Sequence, residues 1–415
     1  MKRSDFELMA PVGSPESLAA AISAGADAIY FGIEGLNMRS RSSSNFNLDD
    51  LRRIVAECES KNVKTYLTVN TIIYDNDIDY MHSIISVAKE AGVTAVIATD
   101  ISTILFARSI GMEVHISTQA NISNVEAVRF YSQFADVMVL ARELNLEQVK
   151  AIHDAIVNED IRGPKGELIK LEMFCHGALC MAVSGKCYMS LHEMNSSANR
   201  GACNQICRRS YRLTDQETDD EIVVDNKYLM SPKDLKTIHF LNKMVDAGVS
   251  VFKIEGRARG AEYVAETVRC YSEALEAICN GEFNEEKISV WEKRLTKVFN
   301  RGFWNGYYLG QRLGEWSHKY GSSATRVKLY VARANRYFSK LGVGEFKMEA
   351  GELHPGDEVI ITGPTTGALI FKVEELRLDL APVDTIKKGD LFSMPVPEKI
   401  RPSDRLYIWK ETQGL

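Results

Sequence analysis

Short runs of apolar, often β-branched residues alternate with stretches in which apolar positions recur every three or four residues, over roughly the first two thirds of the chain. The first pattern fits strands buried on both faces and the second fits amphipathic helices, so the alternation reads as repeated βα units. The spacing predicts strands at Phe6–Pro11, Ala28–Gly32, Lys64–Asn70, Ala95–Ala98, Glu113–Ser117, Val137–Ala141, Lys170–His176 and Val251–Glu255. Helical patterns lie between them at Glu16–Ala24, Asp49–Glu59, Asp77–Ala91 and Leu146–Ile156. Ser14 with Pro15 next, and Asn47 ahead of Asp49-Asp50, supply helix-start chemistry. Gly25, Gly92 and Gly111 stand where left-handed helix ends are expected.

Eight strands with their helices within residues 1–285 match an α/β fold of the closed (β/α)8 TIM-like barrel type in number and size. A doubly wound open sheet is the alternative, but no Gly-x-Gly-x-x-Gly follows the first strand. Residues 286–321 read as helix and linker, packed down by Trp291, Phe299, Phe303 and Trp304. From residue 322 to 415 the pattern becomes short strands with turn signals: Val327–Ala332, Gly342–Ala350, Glu358–Thr362, Gly367–Glu374 and Asp390–Met394. A small C-terminal β-barrel domain is expected there. Its Leu353-His354-Pro355-Gly356-Asp357 turn is similar to turns of translation-factor barrels, a pattern also common in unrelated small barrels.

Hydrophobic residues form 45% of the chain and charged residues 26%, a globular balance with no run long enough to span a bilayer. The chain starts directly on a strand pattern without an apolar leader, so a cytoplasmic location is expected. The net charge of −6 argues against nucleic-acid binding over the whole surface and leaves room for a local basic patch. Eight cysteines in a reducing compartment do not read as a disulfide framework.

Their distribution carries the chemistry. The one long interruption of the βα pattern, residues 177–231 after the seventh strand, holds Cys180-x6-Cys187-x15-Cys203-x3-Cys207. Loops after barrel strands lie at the active-site end, and four soft thiolates suit zinc or an iron–sulfur cluster. Only the second pair has a tight knuckle spacing, and the spacing alone leaves both metals, and also buried free thiols, open. Cys58, Cys270 and Cys279 stand singly in helical patterns and read as buried thiols.

Glu172-Met173-Phe174-Cys175-His176-Gly177-Ala178-Leu179-Cys180 and Ser184-Gly185-Lys186-Cys187-Tyr188-Met189-Ser190 resemble the signature of the collagenase-like peptidase family, class U, number thirty-two. Gly201-Ala202-Cys203-Asn204-Gln205-Ile206-Cys207-Arg208-Arg209 and Ile254-Glu255-Gly256-Arg257 fit the same family. Within it the chain is most similar to prephenate-dependent tRNA uridine hydroxylases. That resemblance implies a [4Fe-4S] cluster on Cys180, Cys187, Cys203 and Cys207, with iron–sulfur favoured over zinc. It also implies prephenate as co-substrate and hydroxyl source, the tRNA anticodon stem-loop as partner, and 5-hydroxyuridine at the wobble position as product. Sister branches hydroxylate ribosomal RNA or ubiquinone precursors.

Residues at strand ends complete the candidate site. His176 closes the seventh strand and is a candidate proton donor, or a histidine held by backbone. Glu255 and Arg257 close the eighth, where Arg257 is a candidate for a carboxylate or phosphate, or a salt-bridge partner of Glu255. Gln119, Asn121, Arg142 and Glu143 end strands five and six as candidate substrate contacts, with loop capping the plainer account of each. Arg39 and Arg41 after strand two, with Arg208, Arg209 and Arg212 beside the cysteines, are candidates for a basic rim that receives RNA. Proteolysis is the runner-up, although neither His-Glu-x-x-His nor Gly-x-Ser-x-Gly occurs. An accessory protein that holds a cluster without catalysis is the third class.

Overall fold

The computed structural model describes the chain apart from residues 41–45, 210, 212, 215, 219–220, 223–229, 319–320 and 413–415. Eight parallel strands form the central sheet: β1 (Glu7–Pro11), β2 (Ala28–Phe31), β3 (Lys64–Val69), β4 (Ala95–Ala98), β5 (Glu113–Ile116), β6 (Val137–Val139), β7 (Lys170–Gly177) and β8 (Val249–Ile254). Each pairs with the next in chain order, and β8 pairs with both β7 and β1, so the sheet closes into a barrel. All eight coincide with the apolar runs expected from sequence to within about two residues.

The reason is burial on two faces. Met9, Tyr30, Tyr66, Ile97, Val137 and Val251 fill the barrel, while the alternate residues Leu8, Ile29, Leu67 and Val96 pack outward under helices. Helices α1 (Pro15–Ser23), α2 (Asp50–Glu59), α3 (Ile78–Glu90), α4 (Ile101–Ser109), α5 (Val125–Tyr131) and α6 (Leu146–Asn158) cover the first six strands. In α3 the buried residues are Met81, Ile84, Ile85 and Ala88, one stripe of a 3.6-residue repeat. Ser14 caps α1 by accepting from the Ser17 amide, with Pro15 in the first turn.

The long segment after β7 contains α7 (Met189–Met194) and then returns along the barrel rim. Its strand Asp234–Lys236 runs antiparallel to the end of β7, Leu235 opposite Gly177 and Lys236 opposite His176. Phe303–Trp304 adds one more strand beside it. Neither was expected; two- and three-residue strands carry too little periodicity to be seen in sequence. Helices α8 (Leu241–Asp246), α9 (Ala261–Cys279) and α10 (Glu285–Lys297) follow, and the anchors Trp291 and Trp304 are buried.

The C-terminal unit is an antiparallel sheet of eight strands built around Arg326–Phe338, which pairs with Val343–Met348 on one side and Arg405–Glu411 on the other. The last of these strands was not anticipated. Phe346, Phe392, Val359 and Leu406 are among its own core. Ile360, Ala368 and Trp409 join the core of the barrel instead. At that junction a Cβ on Gly367 would stand 2.7 Å from the Ala20 amide nitrogen, so sheet and helix α1 touch backbone to backbone.

Candidate functional site

The C-terminal ends of the strands and the segment after β7 enclose a cavity of about 230 Å³. Cys180, Cys187, Cys203 and Cys207 all line it. The thiols sense one another: burial pushes the Cys207 thiol up, Arg208 draws it down, and Cys180, Cys203 and Cys187 push it up again. Among the described residues no three His, Cys, Asp or Glu groups stand close enough to share a single metal ion. Four thiols bordering one cavity are a donor set of the kind that holds a thiolate-ligated iron–sulfur cluster, and the residues present fit such a group.

Cations dominate the rest of the wall. Arg39, Arg142, Arg208, Lys253, Arg257, Arg259 and Arg301 line the cavity, against one carboxylate among the described residues, Glu255. Glu255 receives Arg39 Nη2 on one oxygen at 2.8 Å and the Tyr30 hydroxyl on the other at 3.1 Å. Burial works to raise its pKa, but Arg39, Arg142 and Arg257 outweigh it and hold the carboxyl at about 2. The same contact with Glu255 pushes the Arg39 guanidinium up. Arg257 donates from Nη1 to Asn37 Oδ1 at 3.0 Å and Thr68 Oγ1 at 2.9 Å. Burial brings it down to about 10. The direct bridge to Glu255, the alternative for Arg257, is replaced by Arg39 on the carboxylate and by amide and hydroxyl acceptors on Arg257.

Arg142 stacks on Phe174, 3.7 Å from the ring centre, donates to the Ala178 carbonyl at 3.1 Å, and keeps a buried Nε with no partner among the described residues. Arg208 ties the cysteine segment shut through the carbonyls of Pro232 (2.6 Å) and Leu179 (2.7 Å) and the Ser231 hydroxyl (2.9 Å). Gln119 faces the cavity and accepts from Asn70 at 3.2 Å and from the Ser117 hydroxyl.

Three expectations fail on position. His176 does not line the cavity: it is 1% exposed, 3.3 Å from the Tyr271 hydroxyl, with the rings of Tyr263, Tyr271 and Phe303 around it. Burial, then Lys236, lowers it to about 3, so it is neutral and holds no proton for the site. The cause is a register shift between Lys253 and Ile254 that leaves Cys175 unpaired and reverses the alternation of β7, turning His176 away from the side of Phe174. Asn121 has φ 55° and ends a turn at Thr118–Ala120, a left-handed cap that asparagine tolerates, and does not reach the cavity. Glu143 is exposed outside it. Arg41 and Arg212 lie outside the described residues, and Arg209 pairs with Glu193 on the surface at 2.7 Å.

Sequence reasoning missed Tyr30, Lys253, Arg259 and Arg301. Lys253 left a signal: Lys253, Glu255 and Arg257 alternate along an otherwise apolar strand and its exit, so they share the inner face. Arg259 and Arg301 lie 3.5 and 5.1 Å from the centre of the Phe299 ring, a meeting of distant segments that no local pattern announces.

The family model for peptidase family U32 matches residues 13–318. A protein of Porphyromonas gingivalis (strain W83) named collagenase is 64% identical over 98% of this chain and 98% of its own length. tRNA hydroxylation protein P1 of Bacillus subtilis (strain 168) is 32% identical over 73% of this chain and 71% of its own length. The 23S rRNA 5-hydroxycytidine C2501 synthase of Escherichia coli K12 is 35% identical over 75% of this chain and 46% of its own length. The chain belongs to peptidase family U32.

Proposed function

We propose that this chain is an RNA-modifying enzyme that hydroxylates a pyrimidine, converting a tRNA wobble uridine to 5-hydroxyuridine without dioxygen. The observation that carries this reading is the meeting of four thiols and seven cationic side chains on one cavity at the active-site end of the barrel. Cys180, Cys187, Cys203 and Cys207 would hold a [4Fe-4S] cluster, which supplies one-electron chemistry or structural order to the segment after β7. The arginines suit an anionic co-substrate, with prephenate as hydroxyl source, and the phosphates of an RNA loop. Glu255 stays ionised at working pH and fixes Arg39 and Tyr30 along the wall. Relatives named for hydroxylation of tRNA and of 23S rRNA support this class.

A peptidase is the second reading, favoured by the name of the 64% identical relative. The cavity gives it little: among the described residues no histidine lines it, and burial pushes the Cys175 thiol well above its usual range. A cysteine peptidase needs a thiolate beside a base. The deciding experiment purifies the protein without oxygen, assays iron and sulfide, and supplies prephenate with a tRNA transcript and, separately, a collagen peptide. Mass spectrometry should find 5-hydroxyuridine and an intact peptide. Cleavage without nucleoside product refutes the proposal.

A further inference from the structure

We propose that Lys253 is a catalytic residue of this cavity, donating a proton from its ammonium to a substrate oxygen, and that Glu172 is the residue that positions it. Lys253 is 5% exposed and Glu172 fully buried, and they form one ion pair at 2.8 Å at the floor of the cavity that Lys253 lines. The ammonium stands over two aromatic rings, 4.6 Å from the centre of Tyr30 and 5.5 Å from that of Phe174. Among the described residues its one hydrogen bond goes to Glu172, which leaves two N–H groups for whatever fills the cavity. The second carboxylate oxygen of Glu172 is buried and has no partner among the described residues.

A buried ion pair is poor stabilising material, because desolvation consumes most of its attraction and apolar replacements are often neutral. An orphaned buried acceptor adds a cost of about 1–3 kcal/mol. Such an arrangement inside a barrel points to use rather than to stability.

Elimination narrows the use. Among the described residues no histidine lines the cavity. Glu255 is held ionised and has no proton to give. The Tyr30 hydroxyl is engaged with the Ile254 carbonyl at 2.9 Å and with Glu255. Arg257, though brought down to about 10, spends its Nη1 on Asn37 and Thr68, the other arginines keep their protons, and thiolates that would hold a cluster have none. Lys253 remains. In the step assigned to it, an N–H bond breaks as an O–H bond forms on a substrate carbonyl oxygen that gains negative charge, the new bond using a pair on that oxygen. The electron pair stays on Nζ, water returns the proton to the neutral amine after product leaves, and Glu172 remains a carboxylate throughout. This assignment rests on the hydroxylase reading above.

The decisive variant is Lys253→Arg, which keeps the charge and the partner but cannot release a proton. With iron and sulfide content matched to wild type, turnover of tRNA should fall by about 10²-fold or more, while prephenate KM stays within about threefold. Arginine rescues a lysine that acts only as a charge or a strut, so K253R turnover within about threefold of wild type overturns the proposal. If K253R fails to fold, the double variant K253M/E172Q removes both charges together; it should fold and be inactive, and activity in it overturns the proposal. Should wild type convert no RNA, the hydroxylase reading has failed and the assignment that rests on it falls with it; wild-type conversion with an unimpaired K253R overturns the lysine assignment alone.

Discussion

Glu255→Gln tests whether the cavity wall is held by charge. The substitution keeps the shape and an oxygen for Tyr30 or Arg39 and removes only the negative charge that Arg39, Arg142 and Arg257 surround. Holding a carboxyl at about 2 instead of its usual 4.5 corresponds to about 3 kcal/mol of folding stability. The sign follows from the depressed value: the contribution is fully present above pH 4.5 and is lost as pH falls towards 2. Linkage puts about half of it still in place at pH 3. Urea unfolding of wild type and E255Q, followed by tryptophan fluorescence at pH 7, 5, 4 and 3, reads it directly. The variant should be less stable by about 3 kcal/mol at pH 7 and 5, with the gap closing below pH 4.5. Equal stability at pH 7, or a gap that stays constant down to pH 3, refutes the electrostatic account of the wall.

Cys180→Ser and Cys207→Ser should each strip most iron and sulfide from anaerobically purified protein; full metal content in either removes that cysteine from the ligand set. His176→Gln should cost about 1 kcal/mol through the weakened Tyr271 contact and leave turnover within about threefold of wild type; a hundredfold loss would restore the histidine to the mechanism. Gly13→Ala places a Cβ 1.9 Å from the Arg257 carbonyl oxygen, so thermal unfolding should show a loss of about 1–3 kcal/mol together with weakened prephenate binding.

The barrel was legible because its strands are buried on both faces and so appear as unbroken apolar runs, whatever they pair with. That the four cysteines would meet was legible because they fall within one segment after a strand, at the barrel end where such segments enclose the cavity. What stayed hidden depends on pairing between distant segments. The reversal of His176 follows from the register of β7 against β8, about eighty residues away in sequence, and nothing within Met173–Gly177 announces it. Asn121 and Glu143 illustrate a second limit: polar residues at strand ends are equally suited to capping a turn and to touching a ligand, and only the path of the turn separates the two. Lys253 and Glu172 were overlooked for the opposite reason. A single charge inside an apolar run reads as an interruption of the strand, whereas here each charge is the other's partner across the β7–β8 pair.

The charge of the cavity also bears on the two names carried by the relatives. The chain as a whole is acidic, at −6, yet the wall sets seven cations against Glu255, with Glu172 behind Lys253 and Asp234 behind Arg301 at 3.4 Å. Four thiolates alone could cancel the remaining four positive charges. On the proposed reading, iron bound among those thiolates would return positive charge to the site and leave the wall attractive to an anion. A collagen strand, with its peptide backbone and mixed side chains, has no need of such a surplus. A carboxylate-bearing co-substrate and a phosphate backbone both do. On the proposed reading, an electropositive surface over the whole chain would bind any polyanion, whereas a cationic cavity on an acidic body would repel a long duplex and admit a loop that reaches inside.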